Sequence, residues 1–192
     1  MKQLILGGAR SGKSSLAEKL ASSSGKQVIY IATSDRSQND AEMDQRIAHH
    51  QQSRPAEWPT VETAIKLADS LLQQARDDRC LLVDCLTLWL TNCLCSEQAE
   101  CWPQQKQALL DVLPTLPGDI ILVSNEVGHG IIPMGELNRR FVDESGFLHQ
   151  AVAALTERTV FTMAGLPLVM KGEPLPDLLS QQHAKQHLEQ RP

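Results

Sequence analysis

Five short apolar runs, rich in β-branched residues, recur along the chain: 3–6, Val28-Ile29-Tyr30-Ile31, Cys80-Leu81-Leu82-Val83, Ile120-Ile121-Leu122-Val123 and 159–163. Their apolar residues are consecutive rather than alternating, the pattern of strands covered on both faces. Between the runs lie segments with apolar positions at helical spacing, over 13–23, about 40–52, 61–76, 104–113 and a long stretch at 135–156. A further helix is expected to begin around Thr87-Leu88-Trp89-Leu90. Strands that alternate with helices predict an α/β fold, a mostly parallel sheet with helices on both faces and ligands at the carboxyl ends of the strands. No internal repeat, low-complexity segment or linker divides the chain. From Gly172 onward the composition shifts to Gln, His and Glu with scattered leucines. This predicts one domain over 1–171 and a tail over 172–192 that is weakly ordered, forms a short surface helix or packs on a neighbouring subunit.

Composition narrows the function classes. A chain of 192 residues suits one domain with a full core and no need for metal or disulfide staples. A net charge of -5 and a pI near 5.7 argue against nucleic acid as the main partner, since backbone-phosphate binding needs a basic face. No apolar run approaches the ~20 residues needed to cross a bilayer, and no basic and apolar leader opens the chain. A cytoplasmic protein without a transmembrane segment is therefore expected. Five cysteines, Cys80, Cys85, Cys93, Cys95 and Cys101, favour reduced, largely buried thiols over a disulfide framework, and the Cys93-x-Cys95 spacing does not match a zinc site.

The first run leads directly into Gly7-Gly8-Ala9-Arg10-Ser11-Gly12-Lys13-Ser14, which matches the phosphate-binding loop G-x-x-x-x-G-K-[ST] between a strand and a helix. Glycines let the backbone approach a ligand closely, so that successive N–H groups point at phosphate oxygens near a helix N-terminus. Lys13 supplies charge to the β and γ phosphates, and the Ser14 hydroxyl is a magnesium ligand. Together with the strand pattern, the loop predicts a single P-loop NTPase-type domain of RecA-like form. An acidic residue at a neighbouring strand end usually holds the magnesium through water, and Asp84 after Leu82-Val83 has that position. Its alternative role is to cap the helix that follows. Asn125 and Glu126, at another strand end, either orient nucleotide or metal or act as caps.

The segment from Asp40 to Pro55 is unusual. On a helix at 100° per residue Met43, Ile47 and His50 fall within about 60° of one another, with Arg46 beside them, while His49 points away. His50 would face the protein body, with Arg46 and Arg54 bringing positive charge close to it. Neighbouring cations favour the neutral, nucleophilic imidazole, which suits attack on phosphorus, with the arginines stabilising the transferring group. By composition alone, a helix histidine in a purely structural role is the alternative.

Several blocks taken together resemble the bifunctional adenosylcobinamide kinase / adenosylcobinamide-phosphate guanylyltransferase family of cobalamin biosynthesis. They are Gly7 to Ser14, Tyr30-Ile31-Ala32-Thr33, Glu42-Met43 with Arg46-Ile47, His50 and Arg54-Pro55, Trp58 to Glu62, and Val83 to Asn92. The remaining blocks are Ser124 to Gly128 with Gly130 to Pro133, Arg140-Phe141 with Asp143 and Gly146, and Ala164-Gly165-Leu166-Pro167. The resemblance implies two reactions: ATP or GTP phosphorylates the aminopropanol hydroxyl of adenosylcobinamide, and GMP then passes from GTP to that phosphate through a guanylylated histidine, matched here by His50. It also implies nucleotide contacts from Gly7, Gly8, Ala9, Arg10, Ser11, Gly12, Lys13 and Ser14, from Ala32, Thr33 and Ser34, from Gln51, Gln52, Ser53 and Arg54, and from Glu62 and Asp84. Magnesium at Ser14 and Asp84 and a homotrimer complete what it implies.

The chain departs from the family at Val142, where the family tends to have Arg, and at His149, where it tends to have Asn; His129 fills a variable place. These positions are expected at subunit contacts or at the corrinoid. Two other functions compete: a P-loop small-molecule kinase without nucleotidyl transfer, and a P-loop switch ATPase or GTPase. A switch needs a water-positioning glutamine or an arginine finger, and no clear candidate for either stands in the sequence.

Overall fold

In a computed structural model of the chain, residues 1–34, 55–131 and 134–176 are described. In chain order they form β1 (Lys2–Gly7), α1 (Lys13–Ser23), β2 (Gln27–Ala32), β3 (Thr60–Glu62), α2 (Leu67–Gln74), β4 (Arg79–Asp84) and α3 (Leu86–Leu94). Then follow α4 (Cys101–Val112), a short 3-10 turn (Leu113–Thr115), β5 (Asp119–Asn125), α5 (Glu136–Leu155), β6 (Arg158–Met163) and β7 (Leu166–Lys171). The expected helix over about 40–52 lies outside the described residues.

The strands form one sheet in the order β3-β2-β4-β5-β1-β6-β7, parallel throughout except that β7 runs antiparallel to β6. The five expected strands are all present, and consecutive apolarity has the anticipated cause. Successive side chains point to opposite faces, so Leu4, Leu6, Leu81, Val83, Ile120 and Leu122 join the core under α2 to α5. Ile5, Leu82, Ile121 and Val123 turn the other way and pack against Leu16, Ala17, Leu20 and Ala21 of α1. Helices cover both faces, as the pattern predicts.

Two strands escape the sequence pattern. The expected helix over 61–76 is instead β3 followed by the shorter α2, because residues between them are tied into loop structure. The Thr63 N–H donates to Ala32 O at 2.9 Å, and the carbonyls of Ala64 and Ile65 accept from Asn92 Nδ2 at 3.0 Å and Trp89 Nε1 at 2.6 Å. β7 follows β6 through a two-residue turn in which Ala164 and Gly165 both have positive φ, 52° and 77°. Two left-handed residues are what a tight hairpin turn with the twist of its strands requires.

Trp89 and Trp102 lie edge to face with ring centroids 5.3 Å apart, both fully buried where α3 meets α4. Trp102 Nε1 donates to Glu144 Oε2 on α5 at 2.7 Å, so the pair ties three helices together. Replacing Trp89 by Ala is expected to cost about 3–5 kcal/mol through the cavity it leaves, measured as a lower midpoint of urea unfolding.

Candidate functional site

The phosphate loop is shaped by its surroundings. A Cβ on Gly7 would collide with Ser11 Oγ and with the Thr162 carbonyl of β6, so only glycine fits between strand and loop. Gly12 takes φ 96° and lies against Gly165 in the hairpin turn. The loop is held on two sides: the Gly165 N–H donates to Ser11 O at 2.9 Å, and the Glu126 N–H to Gly7 O at 3.0 Å. Lys13 is buried, with Nζ donating to Gly8 O at 3.3 Å, and Ser14 is half-buried one residue further into α1. Ala9 and Arg10 are exposed at the loop tip. Gly12 caps α1 without a side-chain hydrogen bond, so the first amides of the helix are left to an anion.

Strand register aligns the other predicted contacts. Ala32 pairs with Glu62 on one side and with Asp84 on the other, putting the ends of β3, β2 and β4 in one row. β5 separates Asp84 from the loop strand, and Gly7 pairs with Asn125 at the end of β5. Asp84 is half-buried and does not cap α3: the capping position is Cys85, with no side-chain bond there, which removes the alternative role. Glu62 is exposed and Ser34 half-buried beside that row. His50, Gln51, Gln52, Ser53 and Arg54 lie outside the described residues.

Thr33 ties two strand ends together. It is fully buried, and its hydroxyl donates to Cys85 O at 2.7 Å and accepts from the Cys85 N–H at 2.9 Å, so its side chain locks the end of β2 to that of β4. Its own carbonyl accepts from Asn92 Nδ2 at 2.8 Å. Thr87 Oγ1 contacts Cys85 Sγ at 3.0 Å and accepts from Asn125 Nδ2 at 3.1 Å, which extends the network to β5. Sequence reading assigned none of Cys85, Thr87 and Asn92 to this network, because only strand pairing brings them together. Burial, with Asp84 beside it, pushes the Cys85 thiol up to about 11, and burial raises Cys80 to about 11, so these thiols are protonated and unreactive. All five cysteines are free, with Cys95 exposed.

His149, one of the departures from the family, has a defined place in the fold. It is buried on α5, with Nε2 and Ser124 Oγ hydrogen-bonded at 2.7 Å and Nδ1 3.5 Å from Glu126 Oε2. Glu126 Oε1 accepts from the Gly128 N–H at 2.6 Å, a turn-capping bond. A cavity of about 290 Å³ opens beside the loop, lined by Gly8 to Ser11, Glu126, His129 and Phe161 to Ala164.

The donor set suits magnesium. That ion takes oxygen ligands, keeps several waters and needs only one or two carboxylates when phosphates are present. No group of three His, Cys, Asp or Glu residues stands ready as a metal cage among the described residues. A serine hydroxyl on the loop helix, one carboxylate at a strand end and the partnerless buried oxygen of Asn125 fit an ion that arrives with its nucleotide.

Loop, sheet and strand-end acid define a P-loop nucleotide-binding protein of the α/β class. Residues 3–170 match the family model of cobinamide kinase / cobinamide phosphate guanyltransferase. The chain belongs to that family. It is 57% identical to the bifunctional adenosylcobalamin biosynthesis protein CobP of Pseudomonas aeruginosa, over 91% of this chain and all of that one. It is 36% identical to the bifunctional protein CobU of Salmonella typhimurium, over 89% of this chain and all of the relative. Among solved structures, the RadB recombinase is similar with a TM-score of 0.49 at 14% identity, over 91% of this chain and 82% of that one. No helix among the described residues is long and apolar enough to cross a membrane.

Two outcomes follow from this geometry. Thr33→Val keeps the shape but strips both bonds to Cys85, and is expected to cost about 1–3 kcal/mol in urea unfolding. Burial holds the His149 pKa below its usual value, against the opposing pull of Glu126. The unfolded chain therefore takes up this proton first, so stability is held above pH ~6.5 and lost as the pH falls towards the folded-state value. Denaturation midpoints between about pH 7 and about pH 5 should fall less steeply in His149→Asn than in the parent chain.

Proposed function

We propose that this chain phosphorylates adenosylcobinamide with ATP or GTP and then transfers GMP from GTP to the resulting phosphate, through a guanylylated His50, giving adenosylcobinamide-GDP. The observation that carries this reading is the family match over residues 3–170, with the loop Gly7 to Ser14 shaped for phosphate at its centre. In the first reaction the acceptor hydroxyl attacks the γ phosphorus and a nucleoside diphosphate leaves. Lys13 and the loop amides from Gly8 to Ser14 hold the β and γ phosphates. In the second, a nitrogen of His50 attacks the α phosphorus of GTP and pyrophosphate leaves; an oxygen of the corrinoid phosphate then displaces the histidine. Gln51, Gln52, Ser53 and Arg54, next to His50 in sequence, and Ala32, Ser34, Glu62 and Asp84 at the strand ends complete the nucleotide contacts. Thr33 stands at the same strand ends, with its hydroxyl engaged with Cys85. Attack at γ in one reaction and at α in the other calls for two poses of the triphosphate.

Magnesium, held by the Ser14 hydroxyl and through water by Asp84, would neutralise charge on the phosphate oxygens. The family resemblance also supports a cytoplasmic homotrimer with the catalytic domain over 1–171 and the tail over 172–192. Leu166, Leu168 and Met170, exposed along the edge strand β7, are in keeping with subunit contacts.

Incubation with GTP labelled at the α phosphate should leave acid-labile GMP on the protein. His50→Ala should abolish that label while leaving phosphorylation of cobinamide intact. Labelling that persists in the variant contradicts the role of His50, and a parent chain that never labels favours a kinase without nucleotidyl transfer.

A further inference from the structure

Transfer of the γ phosphoryl group to an alcohol needs a group that takes the hydroxyl proton, within hydrogen-bond reach of the attacking oxygen. Asp84 sits two strands from β1, in the row with Ala32 and Glu62, where it suits the metal side of the nucleotide. Glu126 is placed differently. Its backbone N–H is bonded to Gly7 O, the first residue of the loop, and its side chain lines the 290 Å³ cavity together with Gly8 to Ser11. The cavity's other wall is Phe161 to Ala164 with the His129 ring, tilted against Phe161 at 5.9 Å between centroids. An aliphatic arm ending in a hydroxyl matches such a space, apolar on one side and facing a carboxylate and the phosphate loop on the other.

The carboxylate is also fixed. Oε1 accepts the Gly128 N–H at 2.6 Å, and Oε2 lies 3.5 Å from His149 Nδ1, whose ring is anchored by Ser124 at 2.7 Å. His149 Nδ1 has no hydrogen-bond partner among the described residues, although the His149 side chain is only 7% exposed. A buried nitrogen without a partner, aimed at a carboxylate slightly beyond bonding distance, is the geometry that tightens when substrate binds. Glu126 itself is 19% exposed, so the carboxylate can return a proton to solvent.

We infer that Glu126 is the general base of the kinase reaction and that His149 is the residue that positions it. As the hydroxyl oxygen bonds to the γ phosphorus, the bond from that phosphorus to the bridging oxygen breaks, and its electron pair stays on the departing diphosphate. The hydroxyl proton passes to Glu126, and later to water. A carboxylate accepts at about four positions, so the bond from Gly128 and an approach by His149 leave room for this one. The assignment rests on the kinase activity proposed above.

The test measures both reactions in each variant of the full chain, with guanylylation of His50 as the internal control for folding. Glu126→Gln should lower kcat for phosphorylation of cobinamide roughly 100-fold or more, with both KM values and the rate of GMP labelling nearly unchanged. His149→Ala should lower the same kcat roughly 10- to 100-fold without a change in KM, and His149→Asn, which keeps a side-chain donor, should recover most of it. A Glu126→Gln enzyme that retains its kinase kcat overturns the assignment. So does one that loses both reactions together, since that marks a collapsed loop rather than a missing base. A parent chain that labels His50 yet cannot phosphorylate cobinamide overturns the kinase reading, and the assignment with it. A parent chain active in both, beside an unimpaired Glu126→Gln, removes the base alone.

Discussion

The arrangement at the strand ends depends on how tightly the phosphate loop is pressed against the sheet. Gly7 leaves no room for a side chain between Ser11 and the Thr162 carbonyl, and Gly12 touches Gly165 across the gap. Two backbone bonds, from Gly165 to Ser11 and from Glu126 to Gly7, fix the loop from opposite sides. Loop conformation is therefore set by β5, β6 and the hairpin turn as well as by its own sequence. A loop held this way presents its amides to phosphate without being ordered by the ligand, and that preorganisation favours both binding and transfer.

The sheet order divides the labour. β5 lies between the loop strand β1 and the Asp84 strand β4, so one strand stands between the acid and the loop. On the β4 side, Thr33, Cys85, Thr87, Asn92 and Asn125 form a polar network that ties β2, β4 and β5 together. On the other side, Glu126, His149 and Ser124 join α5 to the end of β5 beside an open cavity. Each buried side chain in these networks makes at least one hydrogen bond, and a partner lost from such a place is costly. The chemistry of the two sides differs accordingly: structural closure on one, an accessible carboxylate on the other.

The central strands were legible in the sequence because burial on both faces writes itself as an unbroken apolar run, as in Leu81-Leu82-Val83. β3 left no such mark. It has three residues, two of them exposed, and exists because Val61 and its neighbours pair with β2. β7 contains Pro167 and alternates exposed with half-buried positions, so it reads as a loop until the turn at Ala164-Gly165 folds it onto β6. In the site, local spacing revealed the loop and Asp84, which carry their meaning within a few residues. The tie from Thr33 to Cys85 spans 52 residues, and that from Ser124 to His149 spans 25. Neither has a sequence signature, since the geometry that joins them is made by the sheet. His149 illustrates the difference: sequence marked it only as a departure from the family, whereas the fold bonds it to Ser124 and sets it beside Glu126.

That the loop from Gly8 to Ser14 is where phosphate binds is tested most directly by amide hydrogen exchange with and without saturating magnesium-GTP. Protection should rise at the amides from Gly8 to Ser14, while that of the central strands β1, β4 and β5 stays the same. Unchanged exchange across the loop at saturating nucleotide would contradict the account.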